Sequence, residues 1–421
     1  MSEILDMIQS YCPSGVEYKA LGELGVFENI GVDKKTVDGE KLVTLLNYVD
    51  VYKHIYIDNT IPSMIVSAPD KKIRDCSCEQ GDIFITPTSE TPDDIGHAAV
   101  ITETLVNTVY SYHIMRFRLF KKEMVTAFYI RYLFETFQVQ SQIMKLSKGL
   151  TRFGLSKYDF AKIEIPVPPL EVQRKIVEYL DNFSELTAEL TAELTARQKQ
   201  YEYYRDNLLS FNNINRGGGQ SEVKWLTLGE IGTFTRGRRF VRNDVIEEGY
   251  PCIHYGDMYT YYGLSATETK TFINEGLASK LRFAHKNDVV IVGAGENDED
   301  IGIGLAWLGD SAPAVHDACY IFTHKQNPKY ISHFLRTHSY HQQIKKYVSS
   351  GKICSISAEG VGKAIIPIPS LQEQERIVEI LDKFEKLTTD LANGLPAEIK
   401  ARQQQYEYYR DKLLTFRRKA C

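Results

Sequence analysis

The sequence predicts an α+β protein: two globular α/β domains in tandem duplication, separated by two long helices that form an antiparallel coiled coil. Two observations carry this prediction. Two stretches of the chain repeat each other almost residue for residue, and both place apolar residues at helical spacing. With 421 residues, the chain is long enough for two such units.

The repeat is strongest in two segments of 15 residues. Residues 197–211 read RQKQYEYYRDNLLSF and residues 402–416 read RQQQYEYYRDKLLTF, with 12 of 15 positions identical. IVEYLDNF at 176–183 recurs as IVEILDKF at 377–384. The similarity is weaker upstream, where LGELGVF precedes one variable stretch and LGEIGTF the other. The chain is therefore a duplication of one whole unit.

Each well-matched stretch predicts a helix with one apolar face. We expect a first helix over 171–211 and a second helix broken near Gly394 and Pro396, since glycine and proline interrupt helices. A one-sided stripe needs a partner, and the other copy is the nearest one. The stripe residues are Ile176, Leu180, Phe183, Leu190, Leu194, Tyr201 and Tyr204 in the first copy, and Ile377, Leu381, Phe384, Tyr406 and Tyr409 in the second.

The variable stretches predict the two globular domains. Short β-branched and aromatic runs alternate there with glycine, proline, asparagine and aspartate clusters, which is typical of strands and turns. Proline strings, IPVPP and IPIP, come just before each helix, where proline is favoured. We divide the chain into a first domain at 1–165, a central helix at 166–215, a second domain at 216–365 and a C-terminal helix at 366–421.

Composition excludes several classes of protein. Hydrophobic residues make up 43% and charged residues 25%, which is the balance of an ordinary globular protein. No apolar run is long enough to span a membrane, and seven scattered cysteines do not form a disulfide framework. We expect a cytoplasmic protein. The net charge of −5 argues against a uniformly basic nucleic-acid coat, although charge can still be concentrated on one face.

No catalytic or metal site is expected. The chain has no GxxxxGK[ST] and no GxGxxG motif. Cys76 and Cys78 have no second pair at zinc spacing. His113 and His316 occupy matching places and are interpreted as packed strand residues rather than catalytic bases.

Basic and aromatic residues of the variable stretches are candidates for DNA binding. The second domain has an arginine cluster, and arginine can bind phosphate or pair with guanine; a solvated surface run is the alternative. The loop before each proline string and two repeated tyrosines complete the set. The candidates are Lys34, Lys35, Tyr48, Lys148 and Arg152 in the first domain, and Arg236, Arg238, Arg239, Arg242, Tyr255 and Lys352 in the second.

These features together resemble the specificity subunit of type I restriction-modification enzymes. The resemblance rests on the two-copy plan, the proline strings, the TAELTAEL repeat at 187–194 and the two QYEYYRDxLL segments. It implies that each globular domain is a target-recognition domain for one half of a bipartite DNA site. It also implies that the helices set the gap and that the stripe residues serve this spacer and the docking of two modification subunits.

The resemblance further implies that the chain is a non-catalytic subunit without a cofactor of its own. S-adenosylmethionine would belong to the modification subunits, which methylate adenine at N6, and ATP and Mg²⁺ to the restriction subunits. The expected partners are double-stranded DNA, two modification subunits and, in the full complex, restriction subunits; no membrane is expected. The alternative is a non-catalytic coiled-coil scaffold without sequence-specific DNA binding.

Overall fold

The computed structural model describes residues 2–211, 223–389 and 394–419. The chain forms two compact units. Unit 1 consists of Met1–Glu189 and Lys400–Cys421, and unit 2 of Leu190–Ile399. We call the globular part of unit 1 the first head and that of unit 2 the second head. None of the helices in the described part of the chain is long and apolar enough to cross a membrane.

The first head contains fourteen strands among the described residues, most of them short, and seven helices lie in or beside it. The strands are β1 Glu17–Ala20, β2 Gly25–Glu28, β3 Lys41–Leu46, β4 Tyr56–Ile57, β5 Met64–Ala68, β6 Ser77–Cys78, β7 Ile83–Ile85, β8 Thr88–Ser89, β9 Ala98–Ile101, β10 Leu105–Tyr110, β11 Met115–Leu119, β12 Lys148–Gly149, β13 Phe153–Gly154 and β14 Glu164–Val167. The helices are α1 Ser2–Tyr11, α2 Leu21–Leu24, α3 Tyr48–Lys53, α4 Asp70–Asp75, α5 Ala127–Leu133, α6 Phe137–Leu146 and α7 Lys157–Phe160, with a 3₁₀ turn at Pro92–Asp94.

The second head follows a long helix, α8 Leu170–Ser210, that runs from unit 1 into unit 2. Its strands are β15 Lys224–Thr227, β16 Gly232–Arg236, β17 Val245–Ile246, β18 Tyr250–Ile253, β19 Ser265–Ala266, β20 Thr271–Ile273, β21 Val289–Val292, β22 Ala294–Gly295, β23 Gly304–Trp307, β24 Ala314–Val315, β25 Cys319–His324, β26 Cys354–Ser355 and β27 Ile365–Ile368. Its helices are α9 Leu228–Ile231, α10 Asp257–Thr260, α11 Glu275–Ala278, α12 Pro328–Phe334, α13 His338–Ile344 and α14 Ala358–Gly362, with 3₁₀ turns at Arg242–Asp244, Asp298–Asp300 and Lys345–Tyr347. Two further helices follow it, α15 Leu371–Thr389 and α16 Leu395–Leu414.

Both heads contain the same five-stranded sheet. The strand order is β2-β11-β7-β9-β4 in the first head and β16-β25-β21-β23-β19 in the second. In both sheets the first three neighbouring pairs are antiparallel and the last pair is parallel. The duplication predicted from the helices therefore extends through the heads.

The four-stranded sheets differ between the heads. The order is β5-β3-β10-β6 in the first head and β17-β20-β18-β24 in the second. Each contains one parallel pair, β3 with β10 and β18 with β24. Three strands of each sheet correspond, β5-β3-β10 in the first head and β20-β18-β24 in the second. The fourth strand lies on opposite sides of them, β6 beside β10 in one head and β17 beside β20 in the other. The two copies have thus diverged at the edge of this sheet.

A glycine explains why the LGELGVF and LGEIGTF segments match. Gly25 begins β2, and a Cβ there would come within 2.6 Å of the Phe117 ring. That ring stacks on Phe27 with 4.2 Å between centroids. The second head repeats this packing, because a Cβ on Gly232 would lie 2.5 Å from the Phe322 ring. A side chain at either glycine would displace a core aromatic ring.

The helices largely agree with the sequence prediction. The first was expected over 171–211 and spans Leu170–Ser210 without interruption. The interruption expected near Gly394 and Pro396 is confirmed at Gly394, which is not helical, and α16 begins at Leu395 with Pro396 in its first turn. The boundaries drawn at 166 and 366 are too early. The proline strings form β14 and β27, which pair with β1 and β15. Residues 212–215, 390–393 and 420–421 of the predicted helical segments lie outside the described residues.

Both ends of the described chain meet in unit 1. The backbone amide of Val16 donates a hydrogen bond of 2.8 Å to the Arg417 carbonyl oxygen, and the Lys419 amide donates one of 2.9 Å to the Val16 carbonyl oxygen. Gly15 has φ +90°, and a Cβ there would lie 2.4 Å from the Arg417 oxygen. Glycine therefore permits this close approach. Leu413, Leu414 and Phe416 continue from it into the core of the first head.

Candidate nucleic-acid interface

The first head brings Tyr48 to its surface just after β3, whose last two residues, Leu45 and Leu46, are buried. Asn47 follows β3 and caps α3, since its side-chain oxygen accepts a hydrogen bond of 2.9 Å from the Val49 amide. Tyr48 is therefore the first helical residue. Its half-buried side chain donates a hydrogen bond of 3.3 Å to the Thr88 carbonyl oxygen.

A hairpin next to Tyr48 carries two of the predicted cations. β12 and β13 form this hairpin, and Lys148 and Arg152 lie on either side of its tip. β13 also pairs with β8, and Arg152 Nη2 donates a hydrogen bond of 3.3 Å to the Thr88 hydroxyl. Thr88 thus contacts both Tyr48 and Arg152. The structure brings these two candidates, which are distant in sequence, to one surface.

The hairpin ends in an apolar side chain. Leu150 is 95% exposed between the two cations. The turn is tight because Gly149 has φ +151°, where a Cβ would lie 1.9 Å from the Arg152 carbonyl oxygen. The corresponding loop of the second head carries Ile353, which is 64% exposed and follows Lys352. Both heads therefore present an apolar side chain beside a cation in the same loop.

An aspartate orders the surface around Tyr48. Asp94 accepts hydrogen bonds from Ser89 at 2.6 Å and Tyr52 at 3.1 Å, and its carboxylate lies 2.9 Å from His97 Nε2. Burial alone would raise the pKa of Asp94, but these hydrogen bonds lower it below its ordinary value. The Tyr52 ring lies 5.9 Å from Tyr48 and 4.3 Å from His97. Tyr48, Tyr52 and His97 thus form a row of rings, and Asp94 holds two of them, Tyr52 and His97, in place.

The two lysines of the first head occupy an exposed loop after β2. Lys35 Nζ lies 3.3 Å from the Asp33 carboxylate. Lys34 acts electrostatically on Asp50 in the first turn of α3, where burial raises the pKa of Asp50 and Lys34 opposes the increase. Lys34 is therefore close to the helix that begins with Tyr48.

The arginine cluster of the second head separates into different environments. Arg236 Nε donates a hydrogen bond of 2.8 Å to the Asp317 carbonyl oxygen, and Arg238 Nη1 donates one of 2.9 Å to the Lys280 carbonyl oxygen. Arg239 is exposed and lines a cleft. Of Arg242 the structure describes only the backbone, at the start of a 3₁₀ turn. Among the three arginine side chains of this cluster that the structure describes, Arg239 is thus the one that lines an open cleft.

The cleft beside Arg239 has a volume of about 1030 Å³ and an aromatic wall. Three rings of this wall lie close together. The centroid of His254 is 4.6 Å from that of Tyr255 and 4.9 Å from that of His316, and the Tyr255 and His316 centroids are 5.2 Å apart. Ile353 also lines the cleft. Flat π surfaces next to a guanidinium can contact nucleotide bases and phosphates. Tyr255, Arg239 and the loop carrying Lys352 therefore meet at one site.

His316 connects the arginine loop to this cleft. Its Nδ1 accepts a hydrogen bond of 3.1 Å from the Ala318 amide, so Nε2 carries the proton and donates to the Phe240 carbonyl oxygen at 3.1 Å. Burial lowers the pKa of His316, which favours this neutral form. Gly237 makes the contact close, because a Cβ there would lie 2.2 Å from the His316 carbonyl oxygen. The prediction that His113 and His316 lie in strands is wrong. Both occupy turns next to strands, where backbone groups remain open to side-chain hydrogen bonds.

The sequence singled out Tyr48 and Tyr255 but missed the rings beside them. His97 and His254 were missed, and His316 was interpreted as a packed strand residue, because an isolated histidine carries no pattern and only the fold brings it to a tyrosine. Leu150 was missed because it reads as one ordinary apolar residue. Its position between Lys148 and Arg152, directly after a glycine, was the available signal.

The cysteine pair lies in a hydrophobic core cluster of the first head. Burial raises the pKa of both Cys76 and Cys78, and both thiols are fully buried. A protonated thiol is a poor ligand.

The helix residues have two kinds of environment. Ile176 and Leu180 lie in the core of the first head, and Ile377 and Leu381 in the core of the second. Being fully buried, these four fix the heads to the helices and leave no surface for a separate subunit. The others lie at the helix surfaces. The ring centroids of Phe183 and Tyr409 lie 5.5 Å apart, and those of Tyr204 and Phe384 lie 5.2 Å apart. Tyr201 and Tyr406 form hydrogen bonds with residues of the heads. Leu190 and Leu194 are half-buried.

Comparisons with known proteins agree with this architecture. The family model described as "Type I restriction modification DNA specificity domain" matches residues 13–197 and again 220–401. The EcoR124I/EcoR124II type I restriction enzyme specificity subunit of Escherichia coli is 38% identical over 277 residues, which cover 63% of this chain and 66% of that subunit, just under two thirds of its length. A Haemophilus influenzae protein named as a type I restriction enzyme specificity subunit is 33% identical over 293 residues, covering 64% of this chain and 68% of that protein.

Solved structures show the same fold. The S subunit of a type I restriction-modification system from M. genitalium superimposes with a TM-score of 0.53 at 16% identity, covering 95% of this chain and 96% of that one. A chain from a structure of type I restriction-modification complex assembly gives 0.60 at 17% identity, covering 96% of this chain and 98% of that one. The predicted fold class is confirmed. With two matched domains that together span most of its length, the chain belongs to the type I restriction-modification DNA specificity family.

Proposed function

We propose that this chain is the DNA-specificity subunit of a type I restriction-modification complex. The observation that carries the proposal is the pair of heads with one sheet order, each presenting an aromatic and cationic surface at the same place in its fold. Tyr48 and Tyr255 each come two residues after a strand of the four-stranded sheet, β3 in the first head and β18 in the second. Each lies where a short helix or turn begins. Each head then reads one half of a bipartite site.

The candidate residues form two groups: those that position a head on the DNA backbone and those that contact bases. Exposed cations such as Lys148, Lys352 and Arg239 bind phosphates and fix the head on the duplex, which is independent of sequence. Tyr48, Tyr255 and the apolar tips Leu150 and Ile353 contact bases. Divergence of the two four-stranded sheets, which carry the tyrosines, supports two different half-sites.

The long helices set the unspecified gap between the half-sites and dock two modification subunits. The modification subunits supply S-adenosylmethionine and methylate adenine, while restriction subunits supply ATP-dependent cleavage. This chain contributes binding and spacing alone. The exposed stripe residues, such as Tyr204, remain candidates for subunit docking, unlike the buried Ile176 and Ile377.

Methylation mapping tests the proposal. The chain is expressed with its modification subunit in a methylation-free host, and N6-methyladenine is mapped by single-molecule sequencing. The expected result is a split motif with a fixed gap that disappears when the chain is omitted. If both proteins fold and bind each other but no methylation depends on this chain, the scaffold alternative is favoured instead.

A further inference from the structure

Each head rests on a surface made by two helices, which we call its seat. The first seat consists of Asp181 on α8 and Tyr406 and Arg410 on α16, which contact the first head. Ser184 on α8 is its fourth aligned position. The second seat is formed by the matching residues of unit 2: Asp382 and Glu385 on α15, and Tyr201 and Arg205 on α8. The two sets align within the repeated helices, so the seats are identical at three positions and differ at one, Ser184 against Glu385.

The first seat receives an acidic head residue. Glu135, just after α5, accepts a hydrogen bond of 2.5 Å from the Tyr406 hydroxyl. Arg410 Nη1 lies 3.9 Å from the same carboxylate, and Arg131 pairs with it from within the head. The side chains of Arg131 and Arg410 are largely buried, so the Glu135 carboxylate compensates their positive charge where water has little access.

The other part of the first seat holds a neutral tyrosine. Tyr132 donates a hydrogen bond of 2.5 Å to Asp181, and Tyr56 donates to the same carboxylate. Burial raises the pKa of both phenols, which keeps them protonated and able to donate.

The second seat receives a cationic head residue at the position of Glu135. This residue is Arg336, whose Nη2 donates hydrogen bonds to the Gly263 carbonyl oxygen at 2.8 Å and the Gly304 carbonyl oxygen at 3.3 Å. Burial lowers the pKa of Arg336, and the negative charge of Glu385 opposes this effect. Glu385 in turn accepts a hydrogen bond of 3.3 Å from the Leu264 amide. Glu385, which stands where the first seat has Ser184, therefore compensates the charge of Arg336, which stands where the first head has Glu135.

A second cation reinforces this pattern. Lys329 Nζ lies 2.7 Å from Asp382, where the first head has the uncharged Phe128. His333 bridges Tyr201, at 3.0 Å, and Asp382, at 3.6 Å. The ligand atoms of His333, Asp382 and Glu385 lie within 4.8 Å of one another. Lys329 and Arg336 already supply positive charge to the two acids, so this cluster holds the head rather than a metal ion.

We infer that the charge at this one seat position makes each seat specific for one head. The first seat accepts a head with an acid at the position of Glu135, and the second accepts a head with a cation at the position of Arg336. In the wrong seat, Arg336 would face Arg410 without Glu385, and Glu135 would face Glu385. Either arrangement buries unbalanced charge, which is strongly unfavourable. The inference rests on the contacts of this chain and does not depend on the proposed DNA binding.

A coupled pair of substitutions in the full chain tests the inference. Arg336→Glu should lower the unfolding temperature of unit 2 by several degrees, because it places an acid beside Glu385. Adding Glu385→Ser reproduces the residues of the first seat and should recover at least half of the lost temperature. Lys286→Glu is the matched control, since it makes the same kind of charge change at an exposed pair with Asp310 in the same head.

The outcomes separate a charge rule from simple structural damage. Glu385→Ser should destabilise the wild-type chain and stabilise the Arg336→Glu chain, and it should not stabilise the Lys286→Glu chain. If Arg336→Glu alone fails to fold, folding of the double variant is the rescue. The inference is overturned if Glu385→Ser changes the unfolding temperature equally in the wild-type and Arg336→Glu chains. It is also overturned if the double variant is no more stable than Arg336→Glu.

Discussion

The Tyr406 hydroxyl donates a hydrogen bond of 2.5 Å to the Glu135 carboxylate, which ties the last helix of the chain to the first head. In unit 2 the matching tyrosine, Tyr201, bonds instead to His333 at 3.0 Å. One repeated residue thus makes a charged hydrogen bond in one unit and a neutral one in the other. Hydrogen bonds to charged groups contribute more to stability.

Tyr406→Phe should therefore cost more stability than Tyr201→Phe. We expect a loss of about 1.5–3 kcal/mol in unit 1 for the first change and about 1 kcal/mol in unit 2 for the second. Chemical denaturation, with limited proteolysis to identify the unit that unfolds, measures both. Equal losses would mean that the charge on Glu135 adds nothing to this hydrogen bond.

A third TAEL inserted after Leu194 should lengthen the gap in the recognised site and leave both half-sites unchanged. Four residues add about 6 Å to α8 and turn its far end by about 40° beyond a full turn. At 3.4 Å per base pair, this corresponds to one or two further base pairs. Methylation mapping reads the gap directly. An altered half-site, or an unchanged gap, would contradict the role of α8 as spacer.

Arg239→Ala should weaken DNA binding and reduce its salt dependence. Removing one cation that binds a phosphate of duplex DNA lowers the slope of log K against log salt by about 0.9. Binding of the assembled complex to duplex DNA, measured from about 50 to 200 mM salt, gives this slope. Lys286→Ala is the control, as Lys286 pairs with Asp310 and does not line the cleft. An unchanged slope would remove Arg239 from the interface.

Leu150→Ser should impair methylation at one half-site without affecting stability. The side chain is 95% exposed, so its removal should change the free energy of unfolding by less than about 0.5 kcal/mol. If Leu150 contacts bases, sequence-specific binding should weaken. The slope of log K against log salt should stay as in the wild type, because Lys148 and Arg152 are retained. Phe137→Ser, at a residue 77% exposed, is the control. Equal effects of both changes would exclude a special role for Leu150.

Unit 2 should lose stability as the pH falls from about 6.5 toward 4. Burial lowers the pKa of His316, His333 and His341, and that of His324 to about 4. A histidine whose pKa is lowered by folding binds its proton more readily when unfolded, so acid favours unfolding. For His324 alone the loss is on the order of 1 kcal/mol by pH 5.5.

Unfolding curves at pH 7.5 and 5.5 check this expectation. His324→Asn removes the titrating ring and keeps an acceptor for the Gln326 amide, which now bonds to His324 Nδ1 at 3.1 Å. The variant should lose less stability than the wild type between the two pH values. The same loss in both chains would exclude His324 as a contributor.

The repeated helices could be predicted from the sequence because their information is local. The apolar spacing that includes Ile176 and Leu180 defines α8, and Gly394 with Pro396 marks the interruption before α16. The proline strings were assigned to the helices because proline often starts one. Their pairing with β1 and β15 depends on residues about 150 positions away, which no local pattern reveals.

The candidate surface could be predicted only in part. Tyr48 and Arg152 were named separately, but their common contact with Thr88 depends on how β8 meets the hairpin. The arginine cluster read as one feature, yet Arg236 and Arg238 bond to backbone carbonyls while Arg239 faces the cleft. Charge and residue type identify candidates, whereas tertiary contacts decide which of them are available.

The contact between Val16 and Arg417 has a consequence for synthesis of the chain. Unit 1 needs Leu413, Leu414 and Phe416 for its core, but the ribosome makes these residues after the whole second head. At about 5–20 residues per second, the first head waits roughly 10–40 s for them. The second head, whose unit is one continuous segment, can finish folding first. A ribosome that stalls after the second head would therefore release a chain whose earliest-made domain is the incomplete one.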